Sequence, residues 1–194
     1  MPPATGLAEH LIHAPAGRQR LEVPFFAGNL TSDQLRNLAG FADACADGVL
    51  MVTADQDIAF LLAEGLSVPE AAIVLQEATG FSAADGAGII LRVCPGTHEC
   101  RMGLAATRDV AADIQAAVGN RTSGLTWALS GCPNSCTQPQ LADVGIVAAR
   151  LVSADDGSKT PRFDLYRREG AGLGQKVEES LPLGELLEKV RRIT

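Results

Sequence analysis

Residues 88–100 read GIILRVCPGTHEC and residues 125–136 read LTWALSGCPNSC. Each stretch is a short apolar run that opens into a loop carrying proline, two cysteines and either glycine or asparagine. Short apolar runs bounded by turn residues read as buried strands. The pattern therefore predicts two strands, each delivering a cysteine pair into the loop that follows it: Cys94 with Cys100, and Cys132 with Cys136. Four thiolates gathered by two loops can hold a tetrahedral zinc ion or a [4Fe–4S] cluster. Zinc pairs are usually separated by two to four residues, so the longer gap between Cys94 and Cys100 fits zinc less well. Glycine and asparagine turns also expose backbone N–H groups that can tune cluster sulfurs.

Working outward, residues 108–118 read as a helix with Val110, Ala111, Ile114 and Val118 in register. VGIVAARLV (144–152) and RFDLYR (162–167) read as an antiparallel pair joined by the polar SADDGSKT. Leu183, Leu186, Leu187 and Val190 form the stripe of a final helix over 183–193. Upstream, Thr31 and Gln34 form a capping box that opens a helix to about Cys45, with Leu35, Leu38, Ala39 and Ala42 on one face. VLMVT (49–53) and IAFLLA (58–63) flank a polar turn. Ser67 and Glu70 form a second capping box, with Pro69 in the first turn and Gly80 as the stop. Residues 21–80 thus read as strand, helix, strand, strand, helix, a compact α+β unit. Gly86 and Gly88 mark a boundary, and residues 1–20, rich in Pro, Ala and Gly, read as an arm.

The chain has 194 residues, a formal charge of −7 and 46% hydrophobic residues, with a mean hydropathy of +0.12. These values describe a globular chain. No apolar run approaches the eighteen or so residues of a membrane span. The N-terminus lacks a basic segment followed by an apolar block, so no secretory signal is expected. A cytoplasmic location follows as an expectation, and there clustered cysteines point to metal or catalysis over disulfides. An acidic chain argues against nucleic acid, whose phosphates need clustered Lys and Arg. The acidity is uneven: residues 1–93 hold four basic and eleven acidic groups, and residues 94–194 hold twelve of each.

The C-x5-C pair followed by GCPNSC resembles the signature of the sirohaem-containing sulfite and nitrite reductases. The likeness continues in FAGNLTSDQLRNLA, in MVTADQDIAFLL, in CRMGLAATRDVAADI and in LADVGIVA. The resemblance implies a ferredoxin-like half-domain over 21–82, followed by an α/β sulfite/nitrite reductase [4Fe–4S] domain over 83–194. It implies a [4Fe–4S] cluster on Cys94, Cys100, Cys132 and Cys136, with Cys136 also bridging to the iron of sirohaem. Asn134, Thr53 and Gln56 match family positions near the macrocycle. The activity implied is multi-electron reduction of sulfite to sulfide or nitrite to ammonia, with electrons from a donor such as ferredoxin or a flavoprotein. Two alternatives are an electron-transfer or tetrapyrrole-binding subunit without reductase activity, and an enzyme like precorrin-3B synthase.

Family enzymes carry two copies of this unit, and the copy without cysteines supplies much of the basic lining that grips anions. The present sequence resembles the cysteine-bearing copy, and its turn reads Thr53-Ala54-Asp55-Gln56 without arginine. A homodimer or a partner protein is therefore expected to supply the other half. From this chain, Arg92, Arg101, Arg108 and Lys159 are candidate anion donors. His98, within the first cysteine loop, is a candidate proton donor. Cys45 and Trp127 read as core residues.

Overall fold

The computed structural model describes residues 18–83, 89–119, 124–153 and 156–193. The chain divides between Asp85 and Gly86 into two compact units. The anticipated boundary glycines and most of the anticipated arm, residues 1–17, lie outside the described residues.

The first unit contains β1 (Arg20–Val23), α1 (Ser32–Cys45), β2 (Leu50–Val52), β3 (Ile58–Leu61) and α2 (Val68–Thr79). The strands form an antiparallel sheet in the order β1-β3-β2. Both helices start as the sequence predicts, each with a reciprocal capping box, at Thr31/Gln34 and Ser67/Glu70. Such caps satisfy N–H groups that a helix start leaves unpaired, each worth about 1 kcal/mol. The buried stripe of α1 is Leu38, Phe41, Ala42 and Cys45, so the expected face was turned too far: Leu35 is 46% exposed and Ala39 is exposed. Phe41 decides the rotation, since its ring meets Phe60 of β3 edge-on at 4.9 Å. Leu21, Val23, Ile58 and Leu75 complete that core. Residues 18–20, assigned to the arm, belong to this unit. The Arg18 guanidinium donates to the carbonyls of Leu61 and Leu62, and the Leu62 N–H donates to the Gln19 carbonyl.

The second unit contains β4 (Ile90–Val93), α3 (Thr107–Val118), β5 (Thr126–Ser130), β6 (Val144–Ser153), β7 (Lys159–Arg167), β8 (Gln175–Leu181) and α4 (Leu183–Val190). Its sheet runs β4-β5-β6-β7-β8. The first two pairings are parallel and the last two antiparallel. Strand β8 was not anticipated. It is mostly exposed, rich in charge and irregular in register, so it shows none of the apolar alternation that announces a half-buried strand. The final helix ends at Val190, three residues early, and buries Leu186 and Val190.

Parallel neighbours need a crossover, usually a helix. Helix α3 serves β4 and β5. Between β5 and β6 the crossover is the second cysteine loop, residues 131–143, with only a 3-10 turn at Pro139–Leu141. That turn lies directly over β6: a Cβ on Gly145 would stand 2.2 Å from the Pro139 carbonyl oxygen. Among the described residues, no helix is long and apolar enough to cross a membrane.

At the opposite end of the sheet one carboxylate ties three strands. Asp143 accepts from the Thr126 N–H and hydroxyl, and from the Arg168 guanidinium. These hydrogen bonds, led by the Thr126 N–H, hold its pKa below the ordinary carboxylate value. A depressed folded pKa adds stability above the unfolded value and loses it as pH falls through the folded one. Asp143→Ala should therefore lower unfolding free energy by about 1–3 kcal/mol in urea titrations at neutral pH. Asp143→Asn should remove part of the loss of stability that the wild type shows below about pH 4.

Candidate metal centre

Strand pairing sets the positions of the thiols. In the parallel pair β4–β5, Val93 stands opposite Leu129, and the Cys94 N–H donates to the Leu129 carbonyl at 3.1 Å. Cys94 thus continues directly from β4, while Cys132 follows Ser130 by two residues. Both cysteine loops leave the same end of the sheet from adjacent strands.

The first loop is held on α3. The Cys100 N–H donates to the Gly96 carbonyl, and the Thr97 N–H to that of Ala105, each at 2.9 Å. The Thr107 hydroxyl donates to the Cys94 carbonyl. Glu99 pairs with Arg108 at 2.9 Å, and His98 Nε2 lies 3.6 Å from Asp109 Oδ1. In the second loop the Ser130 and Thr137 hydroxyls share a hydrogen bond of 2.8 Å, and the Thr137 N–H donates to Ser130 Oγ. Ser135 and Gln138 both take left-handed backbone conformations, which lets the chain reverse within a few residues.

The loops are then joined to each other. The Leu104 N–H donates to the Gly131 carbonyl at 2.7 Å, and the Gly131 N–H points at Cys94 Sγ at 3.0 Å. Side chains are excluded at this junction. A Cβ on Gly131 would lie 2.9 Å from Thr107 Cγ2 and 3.0 Å from Gly96 Cα. On Gly96 it would lie 2.3 Å from the Ala105 carbonyl oxygen, and on Gly103 2.5 Å from the Gly96 carbonyl carbon. Sequence reading missed these packing roles, although glycines beside the cysteines were the available signal.

All four thiols are free. Cys132 is buried at the root of its loop, Cys94 and Cys100 are half-buried, and Cys136 is exposed. Asn134 is exposed on the same turn as Cys136. Among the described residues, no three His, Cys, Asp or Glu groups form a site for one metal ion. Tetrahedral zinc draws four sulfurs to within about 3.8 Å of one another, from a Zn–S bond of about 2.3 Å. A [4Fe–4S] cluster gives each thiolate its own iron and spaces the ligands more widely. Four free thiols on two glycine-lined loops, with an N–H aimed at one sulfur, are a donor set of the kind a cluster takes.

Thr53 and Gln56 lie in the first unit, at the turn between β2 and β3. The Thr53 hydroxyl accepts from the Asp57 N–H and bonds the Glu22 carboxyl, so it is engaged in building the turn. Gln56 has φ 70° and packs on Gly28, whose Cβ position is 3.1 Å from Gln56 Cβ. Asp57 accepts from the Phe25 N–H at 2.9 Å. Burial raises the pKa of both Glu22 and Asp57.

Of the candidate anion donors, Arg108 is committed to Glu99. Arg101 and Lys159 are exposed, and Arg92 is half-buried. Cys45 packs in the core of the first unit, where burial pushes its thiol pKa up. Trp127 is fully buried.

Residues 16–78 match the nitrite/sulfite reductase ferredoxin-like half domain. The chain is 30% identical over 172 residues to a ferredoxin–nitrite reductase of Synechococcus elongatus, covering 85% of this chain and 31% of that enzyme. It is 28% identical over 118 residues to a ferredoxin sulfite reductase of Mycolicibacterium paratuberculosis, covering 53% of this chain and 21% of the relative. The chain thus spans about a third or less of these relatives' length. In fold it is similar to the Mycobacterium tuberculosis NirA protein, with a TM-score of 0.68 at 20% identity, over 91% of this chain and 36% of that one. The chain thus carries a match to the nitrite/sulfite reductase ferredoxin-like half domain over residues 16–78, and is similar in sequence to reductases of both kinds.

Proposed function

We propose that this chain is the cofactor-bearing part of a sirohaem-[4Fe–4S] reductase acting on sulfite or nitrite. The observation that carries this reading is the pair of cysteine loops on adjacent parallel strands, joined through the Gly131 N–H and Cys94 Sγ. Cys94, Cys100, Cys132 and Cys136 would hold the cluster, and Cys136 would be shared with the sirohaem iron. When bound, these groups supply stepwise electron delivery to an oxyanion, six electrons for either reduction.

The chain's own residues have three tasks. Gly131 donates its N–H toward Cys94 Sγ, and donors of this kind favour the more negative sulfur. Buried Cys132 anchors its loop, while exposed Cys136 and Asn134 face outward, where a second group can reach them. Arg108 and Asp109 hold Glu99 and His98, fixing the first loop on α3. Thr53 and Gln56 are carried over from the resemblance as macrocycle-binding residues, on a turn whose shape Asp57 and Gly28 keep.

Anion binding needs further cations, and the first unit is acidic. A homodimer or a partner protein would supply them. The order β1-β3-β2 supports association, since β2 is an edge strand whose Val52 is 77% exposed, with Val49 just before the strand 54% exposed. An unpaired, apolar edge invites pairing. An electron donor such as ferredoxin or a flavoprotein would complete the system.

Anaerobic purification followed by absorption spectroscopy and iron and sulfide analysis tests the proposal. A broad shoulder near 400 nm, flanked by a sharp Soret band and a red band, is expected. Reduced methyl viologen should then be oxidised on adding sulfite or nitrite. A sirohaem-loaded protein inert to both would instead support the electron-transfer reading. Zinc without iron would overturn the cofactor assignment. Cys136→Ser should remove the sirohaem bands and lower iron content together, while leaving the far-ultraviolet circular dichroism intact. Gly131→Ala should destabilise the fold by about 1–3 kcal/mol through overpacking and reduce cluster iron, as measured by thermal unfolding and iron assay.

A further inference from the structure

The pairing of β6 with β5 stops at Val147, opposite Ser130, yet β6 continues to Ser153 alongside β7. The β6–β7 ribbon therefore extends past the sheet at the end from which the cysteine loops leave. A register shift between Ala148 and Arg150 turns this ribbon and sets Arg150 directly opposite Arg162. Like charges facing each other across a strand pair are destabilising, and among the described residues neither arginine has a carboxylate partner. Arg162 Nη1 donates to the Thr160 hydroxyl and the Pro161 carbonyl. Arg150 donates through Nε and Nη2 to Ser180 Oγ. Ser180 is held in a left-handed conformation, φ 57°, and its N–H is pinned by buried Asp164 at 3.0 Å. A strained residue fixed by a buried group is the usual mark of a built position, and here it aims Arg150.

The two guanidiniums also share a face with the second cysteine loop. Arg162, Asp164 and Tyr166 alternate along β7 onto one side of the sheet. Asp164 stands opposite Val147, itself opposite Ser130, and Tyr166 stands opposite Gly145. Ser130 bonds Thr137 and Gly145 lies under Pro139, both in that loop.

We infer that Arg150 and Arg162 form a two-guanidinium clamp for an oxyanion group, a carboxylate or a small inorganic oxyanion, at the thiol-bearing end of the second unit. An anion between them removes the cross-strand repulsion and accepts charge-assisted, fork-shaped hydrogen bonds. This site does not require the cofactor. The full chain, at low ionic strength, is titrated with sodium sulfate, sodium sulfite and citrate while the arginine Nε–H resonances are followed by NMR. The Nε resonances of Arg150 and Arg162 should move saturably, and R150Q or R162Q should weaken binding by about tenfold or more, the loss of one charged hydrogen-bonded contact. Saturation by sulfate and sulfite assigns a small oxyanion, and saturation by citrate alone assigns a polycarboxylate. Either supports the clamp. The melting temperature of each variant should be unchanged or higher, because a repulsion has been removed. The clamp is overturned if none of the probes moves these two wild-type resonances, or if R150Q/R162Q binds as the wild type does.

Discussion

The second unit depends on one constraint: a parallel neighbour must be reached by crossing the sheet. Between β5 and β6 the chain makes that crossing in residues 131–143, without a helix. Its route must therefore be fixed by other means. Pro139 packs on the bare backbone of Gly145, Thr137 is tied to Ser130, and Ser135 and Gln138 take the left-handed turns that a short path needs. The loop that carries Cys132 and Cys136 is thus a structural connection between two parallel strands.

The same constraint explains the glycines. Two loops that leave one end of a sheet from adjacent strands must approach closely. Gly96, Gly103 and Gly131 allow this because no Cβ fits where they meet Thr107, Ala105 and each other. Close approach also brings the Gly131 N–H to Cys94 Sγ, so packing and sulfur electrostatics come from one contact. The first unit solves a separate problem in a similar way. Gly28 admits Gln56, and Asp57 and Thr53 hold the turn from within.

Much of the fold was legible in the residues. Both capping boxes act as the sequence predicts, because capping is local chemistry between residues three apart. The stripe Val110, Ala111, Ile114, Val118 is buried as read. The face of α1 was misjudged, because Leu35 and Phe41 each complete a plausible helical stripe and only the ring of Phe60 chooses between them. Strand β8 escaped because an exposed, bulged edge strand needs no apolar alternation. Arg108 read as a candidate anion donor, and Glu99 sits beside it only because the first cysteine loop folds back on α3.

By itself, the sequence determined where the thiols lie along the chain: two pairs in two loops, each entered from a strand, a donor set whose spacing underlies the proposed cluster. Residue type and spacing carry that information because ligation needs particular atoms a short chain distance apart. Only the tertiary structure decided which thiol is buried and which is exposed, which glycines the loop junction requires, and that Arg150 faces Arg162. Those facts arise from strand register and a single bulge, which join residues distant in the chain and leave no periodic trace along it.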